Sequence, residues 1–194
     1  MQPSQFTSTS FGTVEREPGK KWAFYYFRPA RIPRDLELAP RTVQLLSSAD
    51  AAVGQLEGLA QLVHDPELLV GPYLRREAVA SSRIEGTQAS LSDLLQAEAG
   101  ESEKRSEDVA EVERCLAATR HGYEAIRTLP ISQRLLKEIH ALLLEGVRGE
   151  EKLPGELRRA PVWSGATHDN PDTAIFVLPL PDEIPDALAD WETF

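Results

Sequence analysis

Cysteine is almost absent from this 194-residue chain, and so are several patterns that define common enzyme classes. Cys115 is the only cysteine, so no internal disulfide can form, which fits the reducing cytoplasm where we expect the protein. The four histidines have no metal-ligand spacing, and no catalytic triad can be assigned. Neither a Walker phosphate loop nor a Gly-x-Gly-x-x-Gly turn occurs. We therefore predict no metal site and no catalytic residue in this chain.

Positive charge and long apolar runs are also scarce. The chain has 31 acidic and 21 basic residues, giving a net charge of −10 at pH 7. General nucleic-acid binding requires clustered Lys and Arg, so this composition argues against it. No stretch is long and apolar enough to span a bilayer, and residues 1–21 lack the apolar run of a signal peptide. We expect no general nucleic-acid binding and no contact with a membrane.

Apolar residues recur at helical spacing along most of the chain, so we predict a mainly α fold. The predicted helices begin at Pro40 and Pro66, resume at Tyr73 after a break at Gly71-Pro72, and lie at 91–95, 109–126, 131–144 and 184–191. The third of these ends at Glu85. Charged, turn-like residues at 99–106 predict a loop.

Two regions predict extended chain instead. Residues 1–39 form an extended N-terminal arm in this interpretation, in which the aromatic run 22–27 is a strand or covers the helices. A target-binding strip is the alternative for that run. Further along, Val162-Trp163 and residues 174–177 flank a Gly- and Pro-containing turn, which predicts a β-hairpin.

Between the third and fourth predicted helices lies a helix end, a glycine turn and a helix start. Gly86 can adopt the left-handed conformation that closes a helix, and Thr87 or Ser90 can cap the next one. Ser81 and Glu85 lie four residues apart and share a helix face. A carboxylate in the last helical turn faces the negative end of the helix dipole, so Glu85 favours a cationic partner.

This stretch resembles the Fic (filamentation) family of protein adenylyltransferases. One class of that family has an N-terminal inhibitory helix with the pattern Ser/Thr-x-x-x-Glu-Gly/Asn, which Ser81, Glu85 and Gly86 fit. The similarity extends through residues 81–90, which read Ser-Ser-Arg-Ile-Glu-Gly-Thr-Gln-Ala-Ser, and continues at 74–79, 91–95, 143–149, 154–158 and 176–177. The catalytic signature His-Pro-Phe-x-Asp/Glu-Gly-Asn-Gly-Arg, which a second Arg follows in the family, does not occur. The chain thus resembles only the N-terminal portion of such an enzyme.

The resemblance implies an architecture and roles for particular residues. Residues 40–128 would form a helical regulatory region with the inhibitory helix, and 129–194 an incomplete Fic domain with its first helices and a β-hairpin flap. Glu85, helped by Ser81 and Gly86, would occupy the second motif arginine, which otherwise grips the γ-phosphate of ATP. Ile175, Phe176 and Val177 would be the flap that holds a target protein by strand addition.

The family's activity is transfer of AMP from ATP, with Mg²⁺, to a Ser, Thr or Tyr hydroxyl of a protein. Because the motif is missing, we expect this chain alone not to transfer AMP and not to bind ATP or Mg²⁺ tightly. ATP would bind through the catalytic part, and a homodimer is compatible with the family. Two alternatives stay open: an antitoxin-like inhibitor that acts in trans on a Fic enzyme, and a non-catalytic helical scaffold.

Overall fold

The computed structural model describes residues 1–17, 23–101, 106–166 and 170–194. It divides the chain into two compact units. The first unit consists of Met1–Arg34, Leu129–Glu138 and Gly155–Phe194, and the second of Asp35–Thr128 and Ile139–Pro154. Each unit is thus assembled from segments that are distant in the sequence.

Helices dominate the described ranges, so the predicted mainly α fold is confirmed. The helices are α1 (Pro40–Ala60), α2 (Glu67–Ile84), α3 (Leu91–Glu98), α4 (Glu107–Ala125), α5 (Gln133–Leu144) and α6 (Ile184–Thr193). The strands are β1 (Gly12–Arg16), β2 (Tyr25–Pro29), β3 (Trp163–Ser164) and β4 (Phe176–Val177). None of the helices in these ranges has the length and apolarity needed to cross a membrane.

The predicted break at Gly71-Pro72 is wrong, because α2 runs through both residues. Pro72 lies in the second turn of the helix, where its ring removes one backbone hydrogen bond. A proline also clashes with the Cβ of the preceding residue when that residue is helical. Glycine has no Cβ, so Gly71 lowers this cost and the helix continues.

The core of the second unit lies where α2, α3 and α4 meet. Its buried residues are Ala78, Val79, Ala89, Leu94, Val109, Val112 and Leu116. On α4, Val112 and Leu116 are buried, Cys115 is half-buried, and Tyr123 is exposed. The helix that contains Ser81 is therefore held against α4 by apolar packing one turn before its end.

The longest helix, α1, takes no part in this core. All 21 of its residues are solvent-exposed. Its exposed large apolar side chains are Val43, Leu45, Leu46, Val53, Leu56 and Leu59. The apolar periodicity that predicts this helix is real, but the described part of the chain does not bury its apolar face.

The first unit has a core built on two short antiparallel sheets. β1 pairs with β2, with Val14 opposite Phe27, and β3 pairs with β4, with Trp163 opposite Val177. The buried residues of this core are Met1, Phe24, Tyr26, Ala174 and Val177. The predicted hairpin is thus present, and of the two interpretations of 22–27 the strand applies to residues 25–27. Trp22 and residues 102–105 of the predicted loop lie outside the described residues.

Candidate regulatory site

The turn that ends α2 is a Schellman motif. Gly86 has a φ of +100°, so the predicted left-handed glycine is confirmed. The Gly86 N–H donates to the Arg83 carbonyl, and the Thr87 N–H donates to the Ser82 carbonyl, each at 3.1 Å. These two bonds satisfy the last carbonyls of α2 and leave Glu85 at the C-cap position, one residue beyond the last helical residue.

Ser90, one of the two predicted caps, begins α3 with a capping box. Its hydroxyl oxygen accepts from the Asp93 N–H at 3.2 Å, and its own N–H donates to Asp93 Oδ2 at 2.9 Å. The Ser90 hydroxyl also donates to that carboxylate at 2.7 Å. Chiefly through this side-chain bond, and then through the backbone bond, Ser90 lowers the pKa of Asp93.

Thr87, the other predicted cap, has a different role. Its side chain is only 2% exposed, and its hydroxyl donates to Glu111 Oε2 on α4 at 2.9 Å. Arg148 Nη2 donates to the same oxygen at 3.0 Å. The next residue, Gln88, donates its backbone N–H to Asp108 Oδ2 at 2.7 Å. Two carboxylates of α4 therefore hold two successive residues of the turn.

Within the described residues, Glu85 makes no side-chain hydrogen bond or ion pair, and its side chain is exposed. Ile84, beside it, is 85% exposed. The Ser81 hydroxyl does not contact Glu85 here, because it donates to Glu77 Oε1 at 3.2 Å. The site thus presents a carboxylate to solvent from a helix end whose backbone is anchored.

The predicted flap residues lie in the first unit, on β4 and just before it. Ile175 is exposed, Phe176 is half-buried and Val177 is buried. The N–H groups of Ile175 and Leu178 donate to carbonyls of the facing strand region, at Ser164 and Val162, each at 3.0 Å. β4 has one partner strand in the described part of the chain, so only one of its two edges is paired.

Arg158 supports the segment that follows the flap. Its Nη2 donates to the Pro179 carbonyl at 2.5 Å, and its Nε is buried without a hydrogen-bond partner among the described residues. Burial lowers the pKa of this guanidinium. The sequence alone does not indicate this role for Arg158. Its partner is a backbone carbonyl 21 positions away, which a local sequence pattern cannot identify.

A cleft of about 480 Å³ opens beside α4 in the second unit. Arg114 and Arg120 line it together with Glu98 and Glu113, and Arg114 Nη1 lies 2.7 Å from Glu145 Oε2. The lining has two positive and two negative side chains, so the cleft lacks the excess positive charge that favours binding of a nucleoside triphosphate. Among the described residues, no group of three or more His, Cys, Asp or Glu is placed to hold a metal ion.

Comparisons with known proteins agree with this architecture. Residues 43–124, which contain most of α1 and all of α2 and α3, match the model of the Fic/DOC family N-terminal region. The fold matches the crystal structure of a Fic family protein from Desulfovibrio desulfuricans G20 with a TM-score of 0.60 and 20% identity. A search of curated proteins gave no match.

The structural match covers 84% of this chain and 47% of the Desulfovibrio protein, so the chain spans about half the length of that protein. The chain is thus similar over residues 43–124 to the Fic/DOC family N-terminal region, and it shares the fold of part of a Fic family protein.

Proposed function

We propose that this chain is the autoinhibitory N-terminal part of a Fic protein adenylyltransferase. The complete enzyme would transfer AMP from ATP, with Mg²⁺, to a Ser, Thr or Tyr hydroxyl of a target protein. One observation carries the proposal: Glu85 is an exposed carboxylate on an anchored helix end, and no described side chain neutralises it. The Fic family relationship supplies the partner that this carboxylate would meet.

That partner is the second arginine of the family's catalytic motif. A carboxylate and a phosphate both present two oxygens to a guanidinium, so they compete for the same bidentate hydrogen bonds. An arginine that is paired with Glu85 cannot also grip the γ-phosphate of ATP. ATP would then bind weakly or with its α-phosphate misaligned, and misalignment slows transfer sharply.

The position of Glu85 makes this pairing favourable. A carboxylate beyond the last carbonyls of α2 meets their partial negative charge, and a guanidinium placed there would relieve that repulsion. Ser81 lies one helical turn earlier on the same face, so its hydroxyl would contact the incoming arginine after leaving Glu77. Both residues would thus act on one guanidinium.

The flap would serve the complete enzyme by holding its substrate. A target segment that carries the acceptor hydroxyl would add as a strand to the unpaired edge of β4, beside Ile175, Phe176 and Val177. Main-chain hydrogen bonds would do the holding, so many side chains could be accepted. ATP and Mg²⁺ would bind to the part that carries the catalytic motif and not to this chain alone.

The test is AMP transfer by the product of the complete reading frame that includes these residues, measured with radiolabelled ATP. Glu85→Gln keeps the side-chain shape and removes the charge. We expect it to raise AMP transfer about 5- to 150-fold, the usual range for one regulatory coupling. Glu124→Gln is the matched control, because Glu124 is also an exposed carboxylate near a helix end.

An unchanged rate in Glu85→Gln, from a folded protein that contains the motif, would refute the proposed inhibition. An equal rise in Glu124→Gln would assign the effect to net charge and would also count against it. A complete frame without the motif would refute the assignment to an enzyme. The inhibitor that acts in trans would then be the hypothesis to test.

A further inference from the structure

The carboxylate of Glu111 connects three segments of the second unit. It lies in the second turn of α4, and its side chain is only 16% exposed. Its Oε2 accepts from Thr87 Oγ1 at 2.9 Å and from Arg148 Nη2 at 3.0 Å. Thr87 lies in the turn after Glu85, and Arg148 lies beyond the end of α5. A single oxygen therefore holds both segments to α4.

Burying a carboxylate is costly unless hydrogen bonds and an opposite charge compensate it. The Thr87 hydroxyl gives Glu111 a hydrogen bond, and the Arg148 guanidinium gives it a second hydrogen bond and an opposite charge. The neighbouring residues Val109 and Val112 are buried in the core, so the helix that bears Glu111 is itself well anchored.

Thr87 transmits this anchoring to the end of α2. Its backbone N–H closes the Schellman motif on Ser82, while its buried hydroxyl is held by Glu111. Gln88 adds a second attachment through Asp108, three residues before Glu111 and on the same face of α4. Glu85 thus lies two residues before Thr87, which is hydrogen-bonded both to α2 and to α4.

We infer that Glu111 is a positioning residue for Glu85, which fixes the end of the inhibitory helix so that the Glu85 carboxylate is held ready for its arginine. This inference rests on the proposed function. Glu111 would not touch the arginine or ATP; it acts through Thr87 and the turn. Loss of Glu111 would leave the Thr87 hydroxyl buried without its acceptor, and the turn would open more often.

The first measurement is amide hydrogen exchange in the 194-residue chain, resolved by NMR. In Glu111→Ala we expect the Thr87 and Gln88 amides to exchange about tenfold faster, as befits one lost buried hydrogen bond, and the Val112 amide to be unchanged. Glu111→Gln should restore slow exchange, because its amide oxygen still accepts from Thr87. Glu107→Gln, an exposed carboxylate one turn earlier on α4, is the control.

Thr87→Val removes the hydroxyl without removing the carboxylate, which keeps the inference testable if Glu111→Ala does not fold. The same two amides should again exchange faster. Unchanged exchange at Thr87 and Gln88 would overturn the inference. A uniform acceleration that includes Val112 would overturn it too, because it would indicate general destabilisation.

AMP transfer by the complete protein then separates this inference from the proposed function. Glu111→Ala should give part of the increase seen in Glu85→Gln and add nothing in the Glu85→Gln background. If Glu85→Gln raises transfer and Glu111→Ala does not, the positioning role is refuted while the proposed function stands. If neither variant raises transfer, the proposed function fails and the positioning role fails with it, whatever hydrogen exchange shows.

Discussion

Among single residues, Tyr26 in the first unit is an ionisable group that is buried beside charged side chains. Its side chain is 4% exposed, and its hydroxyl donates to Glu183 Oε1 at 3.1 Å. Arg28 binds the same Glu183 oxygen. Burial first, and then the hydrogen bond to Glu183, raise the pKa of Tyr26 to about 12. The phenol is therefore held in its neutral form well above the pH at which an exposed tyrosine ionises.

We predict that Tyr26 makes the first unit sensitive to alkaline pH. A pKa raised on folding stabilises the folded state fully below the unfolded value of 10.0, and this contribution is lost as the pH rises to about 12. Titration of tyrosinate absorbance should show a component near pH 12 that disappears in Tyr26→Phe. If the component lost in Tyr26→Phe instead titrates near the ordinary value of 10.0, the assignment is contradicted.

Residue roles were predictable from sequence where the interaction is local. Gly86 and Ser90 act within the turn and cap that their own neighbours define, so short patterns identify them. Glu111 could not be identified in this way, because its partners Thr87 and Arg148 lie 24 and 37 positions away. Only the folded chain shows that these three side chains meet.

Among the elements, α1 and α4 are similar in length but differ in burial. α4 contributes Val109, Val112 and Leu116 to the core, whereas every residue of α1 is exposed. Isolated helices are only marginally stable in water, and helices in proteins gain most of their stability from packing. The described contacts thus give α1 little support.

We predict that α1 is the least protected helix of the second unit. Backbone amides of residues 40–60 should exchange quickly, through local fraying of the helix. Those of residues 107–125 should exchange more slowly, because they require a larger unfolding event. Hydrogen exchange of the 194-residue chain, followed by mass spectrometry of peptides from both helices, measures this. Equal protection of the two helices would contradict the prediction and would show that α1 is covered in solution.

The sequence predicts which helices and strands are present more reliably than it predicts where a helix is interrupted. Helical periodicity identifies α1, α4 and α5 because each has an amphipathic pattern several turns long. The failure at Gly71-Pro72 has a local cause, since a glycine before the proline lacks the Cβ that would clash and so lowers the cost of continuing the helix. Whether an apolar face is buried, as on α4, or exposed, as on α1, depends on neighbours that the pattern does not contain.

For the whole molecule, both the sequence match over residues 43–124 and the fold are similar to those of Fic family proteins. The mainly α class follows from periodicity, and the similarity to the Fic family follows from the residues around Glu85. The two units could not be derived from local pattern, because the first combines Met1–Arg34 with segments from the other end of the chain. The proposed regulatory residues belong to the second unit and the proposed flap to the first.

The central claim is that Glu85 inhibits by occupying the second arginine of the catalytic motif. The most direct measurement is ATP affinity of the complete protein in a double-mutant cycle of Glu85→Gln with that arginine replaced by methionine. We predict that Glu85→Gln tightens ATP binding about 5- to 150-fold when the arginine is present and has no effect when it is absent. Equal tightening in both backgrounds, or none in either, would contradict the account.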